Sequence, residues 1–258
     1  MRKYLIIFLT ITAAHTVVGQ DNISPAKLYT GLTFIKNGTV HVGNGEVLQN
    51  TSIEIRNGKI EKIGQDLPIP SGEVRVYDAT GKQVYPGLIL ANTNIGLREI
   101  ANQVKGSDDY NELGDLNPNV QSIVAYNADS KIINTLRSNG ILFANVVPQG
   151  SLIAGSSSVV QFDAWNWEDA VYKEDNGIHF YMPSLLARPR RFRFGGASNS
   201  DPLKEGLEKI ETVKSFFAQA KAYNAATVKP TTTNLKFEAV KGLFNKTERL
   251  FIHCDIVK

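Results

Sequence analysis

Past residue 20 the chain has three histidines, His41, His179 and His253, and a single cysteine, Cys254. No two of the histidines are close enough in sequence to form a zinc motif. A three-histidine site is arithmetically possible, but no spacing supports one. His253 ends the apolar run Phe251-Ile252-His253, where a strand would present an imidazole at its tip. Cys254 follows it directly, and neighbours on a strand face apart, so the two do not make a thiol–imidazole pair. Asn92 and Asn94 stand two apart after Leu88-Ile89-Leu90-Ala91, a spacing that puts two amides on one strand face.

Acidic and basic clusters are the other chemistry. Asp108, Asp109, Glu112 and Asp115 fall in a polar, Asn-rich stretch over 98–118, read as a substrate-lining loop or as a solvated one. Arg188, Arg190, Arg191 and Arg193 interleave with Phe192 and Phe194. Guanidinium forks in that setting could hold a carboxylate or phosphate or stack on a ring, and a plain surface loop is the competing reading. Trp165 and Trp167 are spaced to share a strand face and pack inward. Ser156-Ser157-Ser158 has no nucleophile context, and no P-loop, GxGxxG, Gly-x-Ser-x-Gly, HExxH or CxxC occurs.

The elements that must position these groups change character along the chain. Residues 30–85 look all-β, with hairpin turns expected at Asn37-Gly38, Asn44-Gly45 and Asn57-Gly58. Leu88 to Ala91 reads as a strand buried on both faces of a parallel sheet. Helical spacing over 127–139 ends at Asn139-Gly140, and Ile141 to Val147 is a second apolar strand. Val159 to Phe162 and Ile178 to Met182 are further strands, 203–223 and 235–244 are helices, and Leu250 to His253 is a last strand. Strand and helix in alternation predict an α/β fold with a parallel sheet. The residues from Gly87 onward are too few for an eight-fold barrel of about 250, so the sequence reads as the front part of a longer protein.

Composition sets the outer bounds. The 258 residues are 42% hydrophobic and 21% charged, which excludes collagen-like, coiled-coil and wholly disordered chains. Lys and Arg total 28 against 25 Asp and Glu, too even to imply a nucleic-acid or membrane-surface partner. One cysteine excludes an intrachain disulfide framework. Residues 1–20 read as a secretory leader: Arg2 and Lys3, the apolar run Tyr4 to Ala14, then Val17-Val18-Gly19 before a cut near Gln20. That run is too short to span a bilayer, so a secreted or periplasmic location is expected.

The phrase Asp78-Ala79-Thr80-Gly81-Lys82-Gln83-Val84-Tyr85-Pro86-Gly87-Leu88-Ile89, leading from a β-module into a strand, resembles the amidohydrolase superfamily. The imidazolonepropionase-like exported members are the nearest match, with the pattern D-A-x-G-x-x-V-x-P-G-L-I-D-x-H-x-H. The resemblance covers roughly residues 30–258. It implies a leader over 1–20, an N-terminal β-sandwich module over 21–86, and an incomplete (β/α)8 TIM-like barrel over 87–258. It further implies hydrolysis of carbon–nitrogen bonds other than peptide bonds by a water activated on Zn²⁺ or another divalent metal. Asp109, Glu112 and Arg191 would then face a small-molecule substrate, and His253 looks like the family's strand-5 metal histidine. The departure is local: Leu90, Asn92 and Asn94 stand where the pattern has Asp and the two His. An amide is a neutral, weak zinc ligand, so the metal site is expected to be degraded in this stretch. Two functions follow, a hydrolase whose front part this is, or an inactive amidohydrolase-like binding or scaffold domain paired with an active domain further along.

Overall fold

The computed structural model describes residues 25–27, 29–99, 111–150, 152–186, 201–227 and 231–254. The leader, Asp108, Asp109 and the arginine cluster including Arg191 lie outside these. Among the described residues are two five-stranded sheets.

The first sheet starts with β1 (Leu32–His41), β2 (Val47–Arg56) and β3 (Lys59–Gly64), each antiparallel to the next. Asn57 and Gly58 join β2 to β3 with φ of 51° and 73°, the left-handed pair that matches strand twist in a tight hairpin. Asn44-Gly45 lies in the turn between β1 and β2, where the Asn44 side chain accepts from the Glu46 amide. The expected turn at Asn37-Gly38 is instead a bulge inside β1: the register slips between Ile35 and Gly38, and Asn37 absorbs the extra residue at φ 58°. β4 (Val74–Asp78) and β5 (Gln83–Val84) both run parallel to β1. The order is β3-β2-β1-β4, with β5 beside the far end of β1. These strands form one layer, around Leu32, Phe34, Val40 and Ile53; the expected β-sandwich needs a second.

The turn between β4 and β5 accounts for the first part of the family-like phrase. Asp78 Oδ1 accepts from the Thr80 hydroxyl at 2.6 Å and the Thr80 amide at 3.0 Å, and its other oxygen meets Lys36 at 3.1 Å. Ala79 is buried and its amide donates to the Lys36 carbonyl. Gly81 follows at φ 73°, a conformation that costs a side chain about 1 kcal/mol or more. Each residue type in Asp-Ala-Thr-Gly therefore has a geometric reason.

The second sheet contains β6 (Leu88–Thr93), β7 (Ile141–Val146), β8 (Ile153–Gln161), β9 (Val171–Tyr181) and β10 (Arg249–His253), in spatial order β10-β9-β8-β7-β6. It is mixed, not parallel throughout. β6 and β7 are parallel, β9 and β10 are parallel, and β8 runs against both its neighbours. The reason lies in the connection: a short helix, α2 (Trp167–Ala170), is all that separates β8 from β9, too little for a parallel crossover. Trp165 and Trp167 consequently do not lie on a strand. Asn166 caps α2, its side chain accepting from the Asp169 amide at 2.8 Å; Trp167 packs on the core and Trp165 is exposed.

β6 is also less enclosed than its continuous apolar run predicts. It occupies one edge of the sheet, with Leu88 and Ile89 exposed. Two helical crossovers cover the other face. α1 (Lys131–Ser138) joins β6 to β7 and sets Ile133 against Ala144, Val146 and Val160. α3 (Pro202–Ala225) follows β9, capped by Asp201 with Pro202 in its first turn. Its Val213, Phe216 and Ala220 pack on Ile178 and Phe180 of β9. Two short helices, α4 (Leu235–Ala239) and α5 (Lys241–Phe244), replace the single helix expected over 235–244 and lead into β10.

Candidate functional site

β6, β7, β9 and β10 all run the same way, so their C-terminal ends share one rim, the side on which barrel enzymes build their sites. The rim is tied together strand by strand. The Val147 amide donates to the Thr93 carbonyl at 2.8 Å. The Tyr181 hydroxyl donates to the Pro148 carbonyl at 3.0 Å. The Tyr181 ring stacks on His253, with centroids 4.2 Å apart and planes 10° from parallel. The Met182 amide then donates to the His253 carbonyl at 2.9 Å.

Alternation along β9 decides which side chains face away from the helices. Ile178 and Phe180 are committed to α3, so His179 and Tyr181 take the opposite face. In the parallel register Phe251 lies opposite His179, and His253 opposite Tyr181. The four rings form one assembly. His179 Nδ1 and His253 Nε2 share a hydrogen bond of 2.7 Å, and His179 stacks on Phe251 at 4.9 Å. His179 is only 2% exposed. Burial, and secondarily the neighbouring imidazole of His253, pull its pKa down to about 4. Burial pushes the Tyr181 phenol up to about 12. His253, singled out in the sequence, is therefore joined by a partner 74 residues away that no local spacing disclosed.

Asn92 lies on the opposite edge strand, and Asn94 just beyond its end. The register moves from Leu90↔Ala144 to Thr93↔Val146, three residues against two, so simple alternation does not carry from one asparagine to the other. Asn92 is exposed within β6; Asn94 follows the end of the strand. The Asn94 carbonyl accepts from the amides of Leu97 and Arg98, at 3.1 and 3.0 Å, turning the chain off the sheet. Glu112 lines a recess of about 300 Å³ with Asn119, Gln121, Ser122 and Pro148. Pro148 is the residue whose carbonyl holds Tyr181, so the recess adjoins the rim. Asp115 uses its carbonyl to hold the Leu152 and Ile153 amides.

Ser156, in β8, donates to Asp175 at 2.6 Å, an interaction of the sheet and not of a nucleophile. Glu248, whose carboxyl is pushed up by burial and then by Asp175, precedes β10 and so lies at the other end of the strand from His253. Cys254 is exposed. His41 stacks on Tyr85 in the first sheet, away from the other two histidines. A larger groove, about 1020 Å³, runs along α3 and α4 between Leu116, Leu207, Phe216 and Phe237. Its helix-layer location separates it from the rim, where the imidazoles and phenol lie.

Among the described residues the donors do not fit a divalent metal. Two are neutral amides, and the Nε2 of His253 is already bonded to His179. Among the described residues no three His, Cys, Asp or Glu side chains gather.

No protein-family model matches the chain. An allantoinase from Enterococcus faecalis is 51% identical over 61 residues, 24% of this chain and 12% of that protein. A dihydroorotase from Listeria monocytogenes is 28% identical over 167 residues, 59% of this chain and 37% of that protein. In three dimensions the chain is similar to an amidohydrolase from Thermotoga maritima, with a TM-score of 0.68 at 22% identity, covering 86% of this chain and 58% of that one. The likeness to that structure is one of fold, an α/β architecture with a partial barrel. The chain spans little more than a third of the length of that dihydroorotase.

Proposed function

We propose that the protein containing this chain is an exported amidohydrolase-type hydrolase of the imidazolonepropionase-like branch, acting on carbon–nitrogen bonds other than peptide bonds. The observation that carries this reading is the shared rim of β6, β7, β9 and β10 on an amidohydrolase fold, with Tyr181, His253 and the recess at Glu112 all on that side. The leader-like residues 1–20 support export. Asp109 and Arg191 would contribute to a small-molecule pocket from the loops after these strands. The test is to express the complete polypeptide of the gene and assay it against a panel of cyclic ureides and amides, allantoin and dihydroorotate among them, with and without added Zn²⁺. Turnover of any panel member supports the reading; a folded protein that hydrolyses none with or without metal overturns it.

Asn92 and Asn94, together with the engaged ring nitrogen of His253, favour a second reading for this stretch. Here the half-barrel is a non-catalytic binding or scaffold domain alongside an active domain. Calorimetry separates the two: ligand binding by a protein that leaves every ligand intact supports the second, and turnover that disappears on truncating the His253 side chain supports the first.

A further inference from the structure

The family-like position of His253 invites a metal, and the geometry around it argues for something else. Nitrogen ligands on one tetrahedral Zn²⁺, each at 2.0–2.1 Å, sit about 3.3 Å apart. The 2.7 Å between His179 Nδ1 and His253 Nε2 is a hydrogen-bond distance, shorter than two nitrogens on a shared ion adopt. Each ring is also clamped on a neighbour: His253 on Tyr181, itself tethered to the Pro148 carbonyl, and His179 on Phe251. The remaining nitrogen of His179, Nε2, is buried and has no hydrogen-bond partner among the described residues. One enclosed nitrogen without further donors does not make a metal site. It takes at most a neutral hydrogen-bonding neighbour such as a buried water.

We infer that His179 is a positioning residue that takes the place of a metal ion at this rim, fixing His253 through a direct imidazole–imidazole hydrogen bond. The ring chain Phe251–His179–His253–Tyr181, stacked at its two ends and hydrogen-bonded at its centre, then closes the seam between β9 and β10 as a metal ion would, without the ligand set that an ion requires. This goes beyond both readings of function, since it concerns what holds the rim and not whether a bond is cleaved there.

The test uses the complete polypeptide with ¹⁵N-labelled histidine. In the wild type, one equivalent of Zn²⁺ should leave the ring ¹⁵N signals of His179 and His253 unmoved, and one ring proton should resonate downfield as a hydrogen-bonded N–H. Metal content after purification should be the same in the wild type and in His253→Ala. Loss of one metal equivalent in His253→Ala, or Zn²⁺-dependent shifts of both rings in the wild type, would overturn the inference. His179→Phe keeps a ring against Phe251 and removes only the nitrogens. In it the downfield proton should vanish; persistence of that proton would show that His179 is not the partner. Should His179→Phe fail to fold, the wild-type titration and the His253→Ala comparison still decide.

Discussion

An imidazole enclosed like that of His179 resists protonation, and the resistance is a stability term. Its pKa is about 6.5 in an unfolded chain and about 4 here. Between those values the unfolded state holds the extra proton, so stability rises with pH across the window. The contribution is complete above about pH 6.5 and is lost as pH falls toward 4, amounting to about 3 kcal/mol at most. Urea midpoints at pH 7 and pH 4.5 should therefore differ more in the wild type than in His179→Phe; equal slopes would mean that His179 charges freely in the fold. Asp78 has the same sign at lower pH, because its folded carboxyl also titrates below its unfolded value. The Thr80 hydroxyl and amide, then Lys36, hold its carboxyl down at about 2. The turn should keep its ties until the pH falls below the ordinary carboxylate range. Asp78→Ala should leave global stability little changed, because the carboxylate is at the surface, while hydrogen exchange at the Thr80 amide speeds up. An unchanged exchange rate there would show that the Asp78 side chain does not hold the turn.

At the scale of elements, the contact between β9 and β10 depends on Gly177. A Cβ at that position would lie 2.5 Å from the Arg249 carbonyl and 2.7 Å from the Phe251 ring. Gly177→Ala should therefore push β10 away, cost about 2–3 kcal/mol, and abolish the downfield imidazole proton. Gly58→Ala is the control. Its φ is 73° but its Cβ would meet nothing, so only the backbone cost of about 1 kcal/mol applies and the imidazole signal should persist. Thermal melts and one-dimensional proton spectra of the two variants check both outcomes. The strands bearing His179 and His253 were legible as apolar runs, and so was helix α3 between them. Their pairing was not, because register between strands so far apart in sequence is set by the whole sheet. The reversed β8 escaped for a related reason, since a run such as Ile153 to Gln161 carries no mark of its direction. Asn37-Gly38 and Trp165-Asn166-Trp167 show the limits of local signals. The same residue types serve a hairpin or a bulge, a strand or a helix cap, and the neighbours decide which.

For the whole molecule, the parallel run of β6, β7, β9 and β10 gathers the candidate residues at one rim of a partial barrel. Export is testable without reference to chemistry: the N-terminal residue of the protein recovered outside the cytoplasm should lie at or near Gln20. Recovery of a chain still beginning at Met1 would count against a cleaved leader. The reversed strand has a further consequence, for the order in which the chain assembles. β8 and β9 form an antiparallel ribbon closed by a short connection, so little chain entropy is spent in joining them. β6–β7 and β9–β10 must each wait for a helical crossover. Pulse-labelled hydrogen exchange during refolding should protect the amides of Ser157 and His179, which face across the β8–β9 ribbon, before that of Phe251. The two histidines would then meet late, when β10 docks on a ribbon already in place.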